Sequence, residues 1–198
     1  MPDDKTRCAW AGSDELYMHY HDEEWGRPLH DDQRLFEMLV LESMQAGLSW
    51  RTVLHKRENF RKAFDGFAID KILLYGDTKM AELLADGGLI RNRLKLQAVL
   101  DNARAFVQVQ REFGSFDAYI WAFVDHEPIQ NSWKTLAEIP ATTELSDQMS
   151  RDLKKRGFKF VGSTSIYAYM QSIGLVNDHT TDCFVYHELQ GGNGDGEG

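Results

Sequence analysis

Cysteine is scarce in this 198-residue chain: Cys8 and Cys183 are the only two. That excludes a disulfide-rich fold. Long apolar runs are missing as well, so no transmembrane helix is expected; one would need about 18 consecutive apolar residues. The opening MPDDKTRCAW has no apolar leader core, so a cytoplasmic protein is expected. There is no internal repeat, no strand-like alternation of any length and no linker separating two domains. A hydrophobic content of 42% rules out global disorder.

Basic charge is also short. Lys and Arg number 22 against 31 Asp and Glu, a net charge of −9. An acidic total argues at first against a nucleic-acid partner. Its distribution argues otherwise. Residues 51–62, 91–104 and 151–160 carry +4, +3 and +4, which leaves −20 for the rest. If these spans meet on one face, that face binds phosphates while the remaining surface repels them. Taken singly, each span also reads as a solvated helix face.

The pattern that is present is helical. LFEMLVLESMQAG (35–47) is a dense apolar run ended by Gly47. Residues 50–63 mix apolar and basic positions at helical spacing, and KMAELLADGGLI gives a short helix. Residues 93–114 form a long amphipathic helix closed by Gly114. SFDAYIWAFV follows, with Ser115 as its N-cap. Residues 126–143, with Pro128 and Pro140, read as a loop. SDQMSRDLKKRG, with Ser146 as candidate cap, and STSIYAYMQSIG complete the helices. The expected architecture is all-α: residues 1–190 as one helical unit of two lobes, and 191–198, GGNGDGEG, as a disordered tail.

Both cysteines lie near a histidine: Cys8 with His21, and His179 with Cys183 at i, i+4. Two thiolates and two imidazoles make a tetrahedral zinc set with no position left for a catalytic water. Two inert buried thiols and a disulfide are the other readings. LKKRGFKFVGSTSIYAYM (153–170) reads as helix, hairpin, helix. Gly157 and Gly162 permit a tight turn, Ser163 and Thr164 can cap the second helix, and Lys155, Arg156 and Lys159 flank it. That outlines a grip on a DNA backbone; an ordinary αα-turn would look similar. Trp10, Tyr17, Tyr20, Trp25 and Trp50 crowd the N-terminal quarter. They suit a core or a stacking pocket for a planar base. Glu42 interrupts the apolar run, and a carboxylate buried there would be partnered or functional.

In order, RCAW, YMHYHDEEWGRP, LFEMLVLESMQAGLSWRTVLHKRENFRKAF, GLIRNRLKLQAVLDNARAF and TLAEIPATTELSDQMSRDLKKRGFKFVGSTSIYAYMQSIGLVNDHTTDC resemble the DNA-3-methyladenine glycosylase I family of alkylation-repair enzymes. The resemblance runs from about Arg7 to Cys183. It implies the helix-hairpin-helix glycosylase fold and one structural zinc on Cys8, His21, His179 and Cys183. It implies that Glu42 contacts the excised base, that Trp50 stacks on it, that Tyr20 packs against it, and that Trp10 and Tyr17 line the same pocket. Gly47 and Leu48 would sit on the turn that probes the DNA stack. Lys155, Arg156, Lys159, Gly162, Ser163 and Thr164 would hold the DNA. The expected partner is double-stranded DNA carrying alkylated bases, and the expected product is free 3-methyladenine, released by base flipping to leave an abasic site. No lyase step, no membrane and nothing beyond a monomer is implied. Asp178 follows the hairpin where related glycosylases carry a catalytic aspartate, but this family lacks that residue in its usual place, so Asp178 receives no catalytic role.

Overall fold

Apolar residues spaced three and four apart, with a cap at most helix starts, build nearly the whole chain from helices. The computed structural model describes residues 4–191. The helices are α1 (Glu15–Glu23), α2 (Asp32–Met44), α3 (Trp50–His55), α4 (Arg57–Ala63), α5 (Ile69–Ile72) and α6 (Asp77–Ala85). They continue with α7 (Arg93–Phe113), α8 (Phe116–Trp121), α9 (Glu144–Lys155), α10 (Ser163–Ser172) and α11 (Phe184–Gly191). The tail expected to be disordered lies outside the described residues, except Gly191, which ends α11.

The central element is α2, in which every residue from Leu35 to Met44 is buried. It packs against α7, α8 and α10. The long helix α7 buries Leu96, Val99, Leu100, Ala103, Phe106 and Val109. Phe106 stacks on Phe116 with ring centroids 4.1 Å apart and meets Phe36 edge-on at 5.2 Å. Each such side chain contributes roughly 1.5–3 kcal/mol by leaving water.

Three local expectations need correction. The 126–143 segment is not all loop: Ile129–Gln130 (β1) pairs in parallel with Val176–Asn177 (β2). A two-residue ladder is too short to leave an alternation. The cap of α9 is Thr143, and Ser146 is its third residue, which answers it in a reciprocal capping box. The start of α10 has Gly162 as N-cap with no side-chain cap. Ser163 instead bonds Ser146 through its hydroxyl at 2.8 Å.

The basic spans are also partly turned inward. Arg57 is buried and bonds Glu37 at 2.6 Å and Glu24 at 2.8 Å. Arg61 pairs with Glu37 and Glu58, and Arg51 with Asp14. The 51–62 span is therefore largely neutralised within the fold. The other two spans do meet: Asn102 of α7 exchanges two hydrogen bonds with the backbone of Lys159. Lys95 donates from Nζ to the carbonyls of Met44 and Ala46, at 2.9 and 2.5 Å. It thereby closes the negative C-terminal end of α2 and anchors the turn beyond it. Lys95→Met keeps the apolar stem and removes these bonds. It should cost roughly 2 kcal/mol in urea denaturation, and an unchanged midpoint would show that the carbonyls find other partners.

Candidate base pocket and metal centre

Residues 45–49, between α2 and α3, place the pocket. Gly47 has φ +76°, a backbone conformation that glycine adopts at no steric cost. The turn ends at Ser49, whose hydroxyl accepts from the Thr52 N–H and starts α3. Trp50 is the first residue of that helix and faces back toward α1. Its ring lies 5.3 Å from that of Tyr20. Gly47 and Leu48 are exposed on the outer side.

Between α1, α2, α3 and α10 lies a cavity of about 210 Å³. Trp10, Tyr17, Tyr20, Glu42 and Trp50 all line it. Trp25, Gln45, Ile139, Ala168 and Gln171 complete the wall. Trp25 belongs to the aromatic cluster visible in the sequence, which alone assigns it no role. Gln171 and Ala168 come from α10, and no local motif marks them. Trp10 meets Tyr17 and Trp25 edge-on at 5.3 and 4.9 Å, so one aromatic box forms the floor.

Three polar atoms buried in this region have no hydrogen-bond partner: Tyr20 OH, Glu42 Oε2 and Trp50 Nε1. All three residues line the same cavity. A fold rarely leaves one such atom, because each costs about 1–3 kcal/mol. Burial is the main cause that pushes the Glu42 carboxyl up to about 8, with the Ser172 hydroxyl pulling the other way. Burial, and then the nearby Glu42, hold the Tyr20 phenol well above its ordinary value, so it stays a neutral donor. The cavity thus presents an ionisable acceptor flanked by two fixed donors.

Asp178 is different. Asn131 and Trp133 donate to Oδ1 at 2.7 and 2.8 Å, and Tyr167 and Gln171 to Oδ2 at 2.5 and 2.9 Å. A carboxylate taken up by four donors holds Gln171 in the cavity wall and is not free to act as a base.

Cys8, His21, His179 and Cys183 are all buried, and one ligand atom from each lies within 4.8 Å of the others. Cys8 Sγ is 3.4 Å from His179 Nδ1, and Cys183 Sγ is 3.5 Å from both His179 Nδ1 and His21 Nε2. A tetrahedral ion with S and N ligands at about 2.3 and 2.0 Å sets sulfur–nitrogen edges of about 3.5 Å. The quartet therefore fits a metal ion. Its outer contacts fit too. His21 Nδ1 lies 2.7 Å from Asp22 Oδ1, and His179 Nε2 lies 2.9 Å from the Trp25 carbonyl. Those contacts fix both rings with the other nitrogen inward. The hydrogen bond between the two sulfurs pushes Cys183 down and Cys8 up. His179 and Cys183 lie on the turn before α11. Gly26 is needed beside them, since a Cβ there would come within 2.9 Å of His179 Nε2.

On the hairpin joining α9 to α10, Lys155 and Lys159 are exposed. Arg156 is engaged by Glu112 and Asp152 and lies over the Phe113 and Tyr119 rings, so it holds α9 to α7 and α8. Gly162, Ser163 and Thr164 form the start of α10.

The same sequence and architecture occur in known proteins. The family model for methyladenine glycosylase matches residues 10–186. DNA-3-methyladenine glycosylase 1 of Escherichia coli (strain K12) is 49% identical over 180 residues, covering 91% of this chain and 96% of that protein. A crystal structure of 3-methyladenine DNA glycosylase I superposes with a TM-score of 0.88 at 48% identity, covering 90% of this chain and 98% of the other. A crystal structure of a variant of 3-methyladenine DNA glycosylase I in complex with 3-methyladenine superposes with a TM-score of 0.87 at 32% identity, over 90% and 96% of the two chains. Sequence and architecture agree over nearly the whole described chain: it is a glycosylase and belongs to the methyladenine glycosylase family.

Proposed function

We propose that this protein excises 3-methyladenine from alkylated double-stranded DNA in base-excision repair. The observation that carries the reading is the set of three unpartnered polar atoms on Tyr20, Glu42 and Trp50 around one aromatic cavity. A protein that only bound DNA would have no use for them. The complex of a relative with 3-methyladenine supports the same ligand here.

The chemistry derives from the substrate. Methylation at N3 makes the adenine cationic while it is still attached to deoxyribose. When the bond to C1′ breaks, its electron pair returns to the ring and the base leaves neutral. Little acid catalysis is needed. The protein must extrude the base, exclude water around it and recognise it. Glu42, once ionised, accepts from the exocyclic amine and balances the positive charge. Trp50 and Tyr20 hold the ring, a contact that its charge strengthens. Water adds to C1′, loses a proton and leaves an abasic site. No lysine is among the cavity residues, which supports hydrolysis without a Schiff base or strand cleavage.

The α9–hairpin–α10 unit serves in this reading as a helix-hairpin-helix grip on the DNA backbone, with Lys155 and Lys159 facing phosphates and the Gly162–Thr164 backbone at the N-terminal end of α10. Gly47 and Leu48 reach the base stack. Cys8, His21, His179 and Cys183 would hold one zinc. Four protein ligands make it a structural cross-link between the two ends of the described chain.

The direct test is single-turnover release of 3-methyladenine from methylated DNA by the purified protein; no release would overturn the reading. Trp50→Ala should weaken binding of the free base roughly tenfold or more, the usual worth of an aromatic stack. Calorimetry with 3-methyladenine measures this, and equal affinity would remove Trp50 from the contact.

A further inference from the structure

The hairpin between α9 and α10 contains a residue that the phosphate grip leaves unexplained. Phe160 has φ +55° and is 36% exposed. A left-handed backbone at a bulky residue is strained. Phe67 shares that conformation at φ +62°, but its ring is fully buried, so packing offsets the strain. Among the described residues, Phe160 alone combines a left-handed backbone with an exposed large apolar side chain.

Its neighbours hold it there. On one side the Lys159 N–H donates to Asn102 Oδ1 at 2.7 Å, and the Lys159 carbonyl accepts from Asn102 Nδ2 at 3.1 Å. On the other, Val161 is buried and its carbonyl accepts from Ser150 at 2.7 Å. Both neighbours are pinned, and the residue between them keeps 36% of its surface exposed. Strain fixed by its surroundings, at a large apolar residue that stays partly exposed, points to use of the side chain outside the fold.

We infer that Phe160 is a DNA-contact residue whose ring packs against a deoxyribose face next to the phosphates facing Lys155 and Lys159. The inference rests on the proposed role of the hairpin as the DNA grip. The sugar is the one apolar surface that a duplex offers along its backbone, and an apolar residue set among basic ones matches that alternation of sugar and phosphate. A contact of this kind adds affinity independent of sequence and releases no counterion.

That last property supplies the test. Phe160→Gly and Phe160→Asn both tolerate the left-handed backbone, which offsets the packing lost with the ring, so both should unfold in urea close to the parent's midpoint. Their affinity for a duplex bearing an abasic-site analogue should fall roughly five- to twentyfold, with an unchanged slope against salt. Lys159→Ala should instead reduce the salt slope by about one. Binding of free 3-methyladenine should not change in any of the three. Unchanged duplex affinity in both Phe160 variants, while Lys159→Ala still alters the slope, overturns the contact and leaves the grip standing. If neither Lys155→Ala nor Lys159→Ala alters the slope, the hairpin is not the grip and the inference falls with it.

Discussion

Glu42→Gln should slow 3-methyladenine release under single-turnover conditions by roughly 10- to 100-fold, the worth of one charge-assisted hydrogen bond in a dry site. The glutamine has nearly the same shape, so aromatic packing stays and only the charge is lost. The pH profile gives a second signature. In the empty pocket the Glu42 carboxyl is held up to about 8. If the ionised form receives the cationic base, kcat/KM should climb with pH through about 8 and level off above it, and Glu42→Gln should lack that climb. Stability should move the opposite way. Between the ordinary value of 4.5 and the raised value of about 8, the folded protein holds a proton that the unfolded chain has released. Stability therefore falls as pH rises across that window. The variant escapes this loss, in which each tenfold difference in proton affinity is worth about 1.4 kcal/mol. It should exceed the parent by several kcal/mol above the window and match it below. Equal excision rates would show that Glu42 does not meet the base, and parallel stability curves would show that its carboxyl ionises at the same pH in the folded and the unfolded chain.

Loss of the proposed zinc should have an effect as large on stability. His21 and His179 are 158 residues apart in sequence and sit in one quartet. Tying such distant segments together removes about 5 kcal/mol of freedom from the unfolded chain. Cys183→Ser should leave the purified protein without stoichiometric zinc by elemental analysis and lower its melting temperature by about 10 °C or more. Base binding should fall with it. Trp10 stands two residues after Cys8, and Tyr20 immediately precedes His21, so the pocket's floor hangs on the quartet itself. Parent protein without stoichiometric metal, or a variant that melts with the parent, would refute the metal centre.

The legible and illegible parts of this molecule divide along physical lines. The Cys–His quartet is readable as a candidate because only a few residue types bind soft cations, whatever their separation. Glu42 stands out because a carboxylate inside an apolar run demands a reason. The partition of Arg51, Arg57, Arg61 and Lys95 into internal ion pairs and a helix cap is not readable. It depends on which carboxylates and carbonyls the fold brings opposite them, namely Asp14, Glu24, Glu37 and Met44. Gln171 and Ala168 carry no signal because nothing near them in the chain marks a pocket. They face it only because α10 packs on α2. The exchange of roles between Ser146 and Thr143 has a similar origin, since either residue type can cap a helix and three positions separate them.

The three unpartnered atoms in the cavity bear on the step after bond cleavage. They have no partner until a base arrives, and a neutral base still offers them ring nitrogens and an amino group after it has left the sugar. Charge no longer helps to hold it: the base leaves neutral, so the carboxylate and the aromatic rings keep it only by hydrogen bonds and uncharged stacking. Turnover comes to depend on the departure of a small molecule that the protein is built to retain. In the proposed reaction, an enzyme that still holds this molecule is occupied although its DNA strand is already cleared, so product departure is a step that each further turnover must wait for.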